Sequence, residues 1–226
     1  MDGLECLKEI DQLLVRRKAE PLESEDGPVL ANRYVIENNS DEIMYRATEE
    51  PNVCVRLCFG HGHAHNRPFQ LTLLDRQRRK TLIFMHPLLY KSWRLLLSLQ
   101  RMDVLDPDGG DLVGRVQQGW FFGKPWFKVM TGSEEVTMRI EGPWLLLDIF
   151  KDVKFKIVTV DGDEIGEIVK KKTGCVCQSA AHHFGITFPK DLDVTMKATL
   201  IGAVILIDFV LFHNTKRVDL TSLLLL

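Results

Sequence analysis

The feature that most restricts the fold of this chain is a long, mostly apolar segment near its C-terminal end, residues 196–212. As a helix it would be about 25 Å long at 1.5 Å per residue, whereas the apolar interior of a bilayer is about 30 Å thick. Asp208 lies within the segment, and a carboxylate near the bilayer centre costs about 2.5–3.5 kcal/mol. Length and charge therefore favour a helix buried in a protein core, with a membrane span as the alternative.

Two charged residues mark the ends of one face of this predicted helix. Lys197 and Asp208 are about three helical turns apart, and Ile201 and Val204 lie between them on the same face. Because the rest of the helix is apolar all round, it must be surrounded by protein or by lipid. If the helix contacts lipid, we expect these four residues to be at the contact.

Upstream of the helix, the sequence is organised as short alternating runs of apolar and polar residues. Each run ends in Gly, Pro, Asn or Asp and is followed by a second alternating run, which predicts β-hairpins. The predicted hairpins cover residues 34–47, 69–87, 126–143 and 153–171, and a further strand is predicted at 115–122. A meander of about ten or more strands curls rather than staying flat. The sequence therefore predicts a mainly β fold, a closed or nearly closed antiparallel sheet with the apolar helix inside it.

The N-terminal residues 3–20 are predicted to form a short amphipathic helix. The residues with helical spacing are Leu4, Leu7, Ile10, Leu13 and Leu14. We expect this helix to dock on the sheet. The alternative is a helix on a membrane surface, which the basic residues Arg16, Arg17 and Lys18 would favour.

Composition excludes several classes of function. The net charge of −2 gives no argument for nucleic-acid binding, and the N-terminal residues lack the basic and apolar regions of a secretory signal. Five cysteines in such a chain are expected to be reduced thiols of the cytosol. Neither a phosphate-binding glycine loop nor a nucleophile with an oriented base can be argued from the spacing, so no bond-making enzyme is predicted.

Several motifs in this order resemble the phospholipid scramblase family, whose fold is related to the Tubby C-terminal domain. They are GLECLKEIDQLLV from Gly3, RPFQL from Arg67, VGRVQQGW from Val113, RIEGP from Arg139, DVKFKIVTVDG from Asp152 and the long segment from Phe184 to Phe212. The resemblance implies one domain over residues 1–217, a twelve-stranded antiparallel barrel around a central helix at 196–212, and an atypical tail at 218–226. It also implies calcium-stimulated, ATP-independent movement of phospholipids between leaflets, at the cytoplasmic face of the plasma membrane.

The calcium segment of the family is altered here. When this segment is aligned with the family pattern, Ala180 and His182 replace two expected carboxylates, whereas Gly185 matches the expected glycine and Asp191 the last expected acidic residue. Ca²⁺ requires six to eight oxygen ligands, and neither Ala nor His supplies one. Calcium control is therefore expected to be weakened or lost.

Two attachment features of the family also differ. Its acylated cysteine cluster is replaced by residues without a thiol, namely Tyr90, Trp93, Arg94, Leu97 and Ser98. An apolar loop containing Trp93 and residues 95–97 is an alternative membrane contact. The domain begins at Gly3, so partners with SH3 or WW modules, which bind a proline-rich arm, are not expected.

Other clusters are weaker candidates. Two groups of cysteine and histidine residues contain ligand types that bind zinc, but their spacings match no standard zinc site and a solvated loop is favoured. The groups are Cys54, Cys58, His61, His63 and His65, and Cys175, Cys177, His182 and His183. Two basic clusters are either plain solvated turns, which is the favoured interpretation, or sites that attract anionic lipid: Arg76, Arg78, Arg79 and Lys80, and Lys170, Lys171 and Lys172. The second also lies in a family region linked to nuclear import, so entry into the nucleus stays open, and nucleic acid is not the expected partner.

Two functions of different classes follow. The first is a membrane-associated scramblase. The second is a Tubby-like module that binds lipid or acts as a scaffold without scrambling.

Overall fold

The fold is a closed antiparallel β-barrel, seen here in a computed structural model. The structure describes residues 3–24, 27–50, 68–87, 99–121, 124–144, 152–171 and 183–212, and side chains within these except at 19–31 and 120–121. The strands are β1 Gln12–Ser24, β2 Gly27–Glu37, β3 Ile43–Glu49, β4 Phe69–Leu74, β5 Lys80–His86, β6 Arg101–Leu105, β7 Leu112–Phe121, β8 Lys124–Thr131, β9 Val136–Glu141, β10 Val153–Thr159, β11 Glu164–Lys171 and β12 His183–Thr187.

Each strand pairs with its neighbours in the chain, and β1 closes the barrel by pairing with β12. The predicted hairpins and the twelve-stranded architecture are confirmed. Inward and outward residues alternate as a half-buried strand requires; in β10, Val153, Phe155 and Ile157 are buried while Lys154 and Lys156 point outward. At the turn between β10 and β11, Gly162 has φ +98°, which suits a tight hairpin.

A helix fills the barrel. Helix α1 runs from Val194 to Ile207 and continues as a π-helical turn, Asp208–Phe212. Asp193 caps it by accepting hydrogen bonds from the backbone N–H groups of Thr195 and Met196. Every side chain of the helix from Met196 to Ile207 is buried, so the predicted central apolar helix is confirmed.

By length and composition, Val194–Phe212 also qualifies as a candidate membrane span, with a mean hydropathy of 2.0. In this structure 78% of its apolar stretch is buried inside the barrel. The core helix of a globular protein passes the same test, so hydropathy alone does not place this helix in a bilayer.

Glycines at the wall allow the helix to pack closely. A Cβ on Gly114 of β7 would lie 2.2 Å from Thr199 Oγ1, and a Cβ on Gly202 of α1 would lie 3.2 Å from the ring of Phe84. A Cβ at Gly114 would require the Thr199 side chain to move, and a Cβ at Gly202 would crowd the ring of Phe84.

The predicted N-terminal helix is wrong. Residues 3–20 contain only a short 3₁₀ turn, Glu5–Leu7, and β1 begins at Gln12. Leu13 and Val15 are fully buried at every second position, which is the period of a strand. The helical spacing arose because Leu4 and Leu7 of the 3₁₀ turn are buried in the same core. Closure of the barrel decides the outcome, since the edges of β2 and β12 need a strand between them.

The two ends of the barrel differ. At the Lys197 end, where α1 begins, short turns join β2 to β3, β4 to β5, β6 to β7, β8 to β9 and β10 to β11. At the Asp208 end, the strands are followed or preceded by residues 51–67, 88–98, 145–151 and 172–182, which lie outside the described residues, as does 213–226.

Candidate functional site

A buried carboxylate lies at the point where the α-helix becomes a π-turn. The side chain of Asp208 has no exposed surface. Its Oδ2 accepts a hydrogen bond of 2.9 Å from Tyr34 Oη on β2, and lies 3.4 Å from Arg17 Nη1 on β1. The helix is thereby tied to the two strands on either side of the first hairpin.

The network extends from Asp208 into the barrel wall. Arg17 Nη2 donates to Asn32 Oδ1 at 2.8 Å, and Asn32 Nδ2 donates to Glu49 Oε2 at 2.7 Å. The backbone N–H of Asn32 donates to the same Glu49 oxygen at 3.1 Å. One guanidinium, one phenol and one amide thus satisfy two buried carboxylates, as charges removed from water require.

The electrostatics of this end follow from burial. Burial, and then the nearby charge of Asp208, raise the pKa of Tyr34 well above its usual value, so its hydroxyl stays a hydrogen-bond donor. Burial lowers the pKa of Lys170 on β11, and the charge of Asp208 opposes that effect. The ammonium of Lys170 lies 4.8 Å from the ring centre of Phe212, a cation–π contact with the π-turn.

An aromatic cluster packs beside the same π-turn. The ring of His86 stacks on Phe69 and lies against Phe209, with ring centres 5.0 Å apart in both cases. His86 Nε2 and Gln100 Oε1 are hydrogen-bonded at 2.8 Å, and Gln118 Oε1 accepts from the backbone N–H of Gln100 at 3.2 Å. Gln118 belongs to the Q-Q motif of β7, so this motif holds the strand before it rather than a ligand.

The opposite end of the helix carries a buried ammonium group. Four backbone carbonyl oxygens share the three N–H donors of Lys197 Nζ, those of Leu7 at 2.9 Å, Lys8 at 3.2 Å, Ile10 at 2.8 Å and Lys190 at 2.6 Å. The first three carbonyls belong to the 3₁₀ turn and the residues after it. Burial lowers the pKa of Lys197, and the carboxylates of Asp191, Glu9 and Asp11 oppose that effect. Lys197 therefore fastens the N-terminal residues to the start of the helix.

The four residues predicted for lipid contact all lie inside the barrel. Lys197, Ile201, Val204 and Asp208 have no exposed surface. Sequence reasoning identified the two charged ends but missed their partners. Arg17 could have been found, because Leu13, Val15 and Arg17 are at every second position and would all face inward if the segment were a strand. Tyr34, Asn32 and Glu49 carried no comparable signal.

Two of the four residues of the first basic cluster, at the Lys197 end, are paired with acids. Arg76 Nη1 is 2.6 Å from Glu42 Oε1, and Arg79 Nε is 2.9 Å from Asp75 Oδ2. Arg78 and Lys80 are exposed. In the second cluster Lys170 packs on Phe212, Lys171 is exposed at the end of β11, and Lys172 lies outside the described residues.

The calcium segment is divided by strand β12. Gly185 pairs with Leu14 of β1 and Val169 of β11, and Asp191 is exposed in the turn before α1. Ala180 and His182 lie outside the described residues, as do the cysteines and histidines of 54–65, Cys175 and Cys177. Among the residues that the structure does describe, no three His, Cys, Asp or Glu side chains are grouped to hold a metal ion.

Comparison with known proteins identifies the family. The family model described as Scramblase matches residues 1–214. The chain belongs to the scramblase family. Phospholipid scramblase 2 of Bos taurus is 36% identical over 217 residues, which cover 95% of this chain and 72% of the relative.

Human relatives in this family show similar identity. Phospholipid scramblase 1 of Homo sapiens is 36% identical over 216 residues, covering 94% of this chain and 66% of the relative. Phospholipid scramblase family member 5 of Homo sapiens is 32% identical over 217 residues, covering 94% of this chain and 78% of the relative. The scramblase match therefore includes the whole barrel and its helix, while part of each relative lies outside it. No solved structure matches the chain.

Proposed function

We propose that this chain is a membrane-associated phospholipid scramblase, which moves phospholipids in both directions between leaflets without ATP. The observation that carries the proposal is the family match over residues 1–214, which includes the barrel and the helix. No bond is made or broken in such a process, so no residue is assigned a catalytic role in the chemical sense. The protein would lower the barrier for a polar headgroup to cross hydrocarbon.

The buried charges support action with the helix inside the barrel. In a bilayer, Lys197 and Asp208 would each lose their partners, and a charge removed from water without a partner is costly. Inside the barrel, Lys197 has four carbonyl acceptors and Asp208 has Arg17 and Tyr34. We therefore propose that lipid contacts the outside of the barrel, at the cytoplasmic face of the plasma membrane, while the helix stays within.

We propose further that calcium control is weakened or lost. Besides the replaced carboxylates, the geometry of β12 supports this. His183–Thr187 is a strand paired on both sides, and its four steps span about 13 Å. His183, where this strand begins, and Asp191, which follows it, are therefore separated by the length of the strand, whereas Ca²⁺ ligands lie about 2.3–2.6 Å from the ion.

A lipid-binding or scaffold module without scrambling activity is the second candidate. The observation that favours it is the attachment of the helix at both ends, through Lys197 and Asp208. In that case the barrel would bind the membrane surface and leave lipid in its leaflet.

Reconstitution in liposomes separates the two candidates. Purified full-length protein is incorporated into vesicles with a fluorescent lipid, and dithionite quenching is followed with Ca²⁺ or with a chelator. The first proposal predicts loss of the protected inner-leaflet signal at similar rates in both conditions. Loss only with Ca²⁺ would contradict the proposed calcium independence. A rate equal to that of protein-free vesicles, with the protein shown to be folded and bound, would favour the second candidate.

A further inference from the structure

Four of the five hairpin turns at the Lys197 end of the barrel are strongly acidic. The hairpin turns Asn38–Glu42, Asp106–Asp111, Thr131–Glu135 and Thr159–Asp163 contain nine carboxylates and no lysine or arginine. The cap of the helix adds Asp191 and Asp193 at the same end. A surface with this charge is repelled by anionic lipid headgroups.

The rest of the chain must carry the opposite charge. The net charge is −2 in total and −9 in those four turns, which leaves a net charge of +7 for the remainder. The fifth turn at the Lys197 end, residues 75–80, has a net charge of +3. Arg76 and Arg79 are paired with Glu42 and Asp75, while Arg78 and Lys80 are exposed, and the Lys197 end as a whole remains acidic. At the Asp208 end, described strand ends present Lys124 and Lys154, which are paired with Glu141 and Glu167, and Lys171, which is exposed.

An exposed tryptophan lies at the Asp208 end. Among the described residues two large hydrophobic side chains are exposed, Trp144 at 62% and Val160 at 53%. Trp144 follows β9 at the Asp208 end, whereas Val160 lies in the acidic turn between β10 and β11. Tryptophan favours the interface between headgroups and hydrocarbon, where its ring is buried and its N–H stays near water.

We propose that the barrel docks end-on against an anionic phospholipid bilayer, with the Asp208 end facing the lipid and the Lys197 end facing away. The proposal rests on the proposed membrane function and adds the lipid charge and the orientation. The two ends are far enough apart to act separately: a strand of six residues spans about 20 Å, while charges are screened within about 8–10 Å at physiological salt. Charges at the Lys197 end should therefore have little attraction to the membrane.

Two charge reversals of the same kind test the orientation. Lys171→Glu changes the last residue of β11 at the Asp208 end, and Lys80→Glu changes the first residue of β5 at the Lys197 end; both side chains are exposed. Binding of the full-length protein is measured by co-sedimentation with phosphatidylcholine vesicles, with and without phosphatidylserine. Each charge near an anionic surface changes binding about fivefold, so Lys171→Glu is expected to weaken binding roughly 25-fold, and Lys80→Glu less than about twofold.

A second pair of variants tests the apolar contact. Trp144→Ala is expected to weaken binding to both kinds of vesicle, and Val160→Ala to leave it unchanged. Equal losses from Lys171→Glu and Lys80→Glu, or a larger loss from Lys80→Glu, would overturn the orientation while leaving membrane binding intact. Failure of the folded wild-type protein to bind either vesicle would instead overturn both the docking and the proposed membrane function.

Discussion

The buried pair at the C-terminal end of the helix makes a quantitative prediction for Asp208→Ala. The substitution leaves Arg17 buried without its carboxylate and Tyr34 without its acceptor. Breaking a buried ion pair by removing one partner costs about 3–5 kcal/mol. Because Arg17 keeps its hydrogen bond to Asn32, we expect a loss in the free energy of unfolding near the lower value, about 3 kcal/mol.

Urea denaturation followed by circular dichroism measures this loss. The midpoint should fall with little change in the slope, because the surface exposed on unfolding is nearly the same. Asp161→Ala, in an exposed turn, serves as the control and is expected to change stability by less than about 0.5 kcal/mol.

A double-mutant cycle separates the pair from simple packing loss. Replacing both charges, as in Arg17→Met with Asp208→Leu, should cost less than the two single substitutions together, since no unpaired charge remains. A stability for Asp208→Ala within about 0.5 kcal/mol of wild type, or strict additivity in the cycle, would refute the reasoning.

Three further substitutions test other contacts of the helix. Lys197→Met leaves four backbone carbonyls without their donor and should destabilise by about 3 kcal/mol or more in the same urea assay; a neutral result would contradict the assigned role. Tyr34→Phe should reduce the loss of stability at alkaline pH. Above about pH 10.5 the tyrosine of the unfolded chain loses a proton that buried Tyr34 retains, so this group lowers the free energy of unfolding of the wild type by up to about 1.4 kcal/mol per pH unit. Identical slopes of unfolding free energy against pH in the two proteins would argue against the raised pKa. Gly114→Ala places a Cβ against Thr199 and should cost about 1–3 kcal/mol, with partial recovery when Thr199→Ala is added; no recovery would show that the strain lies elsewhere.

The periodicity and length of the apolar segments were enough to predict the barrel and its central helix. The alternating runs before Pro87 and Pro143 form paired strands, and the apolar residues 196–212 form the central helix and its π-turn. Each of these signals is local, because a strand or a helix repeats its pattern within a few residues. The segment was also predicted to be too short and too charged for an easy membrane span, and its charges are satisfied inside the barrel.

The N-terminal segment shows where local patterns fail. Leu4, Leu7 and Ile10 have helical spacing, yet the residues from Gln12 onward form a strand because the edges of β2 and β12 must be paired. The need to pair the edge of β12 comes from the opposite end of the chain, so it cannot be recognised from the residues near Gln12 alone.

The partners of the buried charges depend on the same long-range closure. Arg17 and Asp208 are 191 positions apart in the chain, and Tyr34 and Asp208 are 174 apart. The sequence marked Lys197 and Asp208 as charges in an apolar setting. Only the closed barrel brings the carbonyls of the 3₁₀ turn next to Lys197 and the β1–β2 hairpin next to Asp208.

The position of the helix on a membrane tests the central claim most directly. A Cβ on Gly114 would lie 2.2 Å from Thr199 Oγ1 and 3.0 Å from Thr199 Cγ2, so replacing both residues by cysteine removes the clashing hydroxyl and methyl groups and puts the two thiols next to each other, as a disulfide requires. The double variant Gly114→Cys, Thr199→Cys is bound to vesicles, oxidised, and analysed by peptide mass spectrometry. Cross-linking as complete on vesicles as in solution, with the protein still bound, is the predicted result. Cross-linking in solution that disappears on vesicles would show that the helix leaves the barrel.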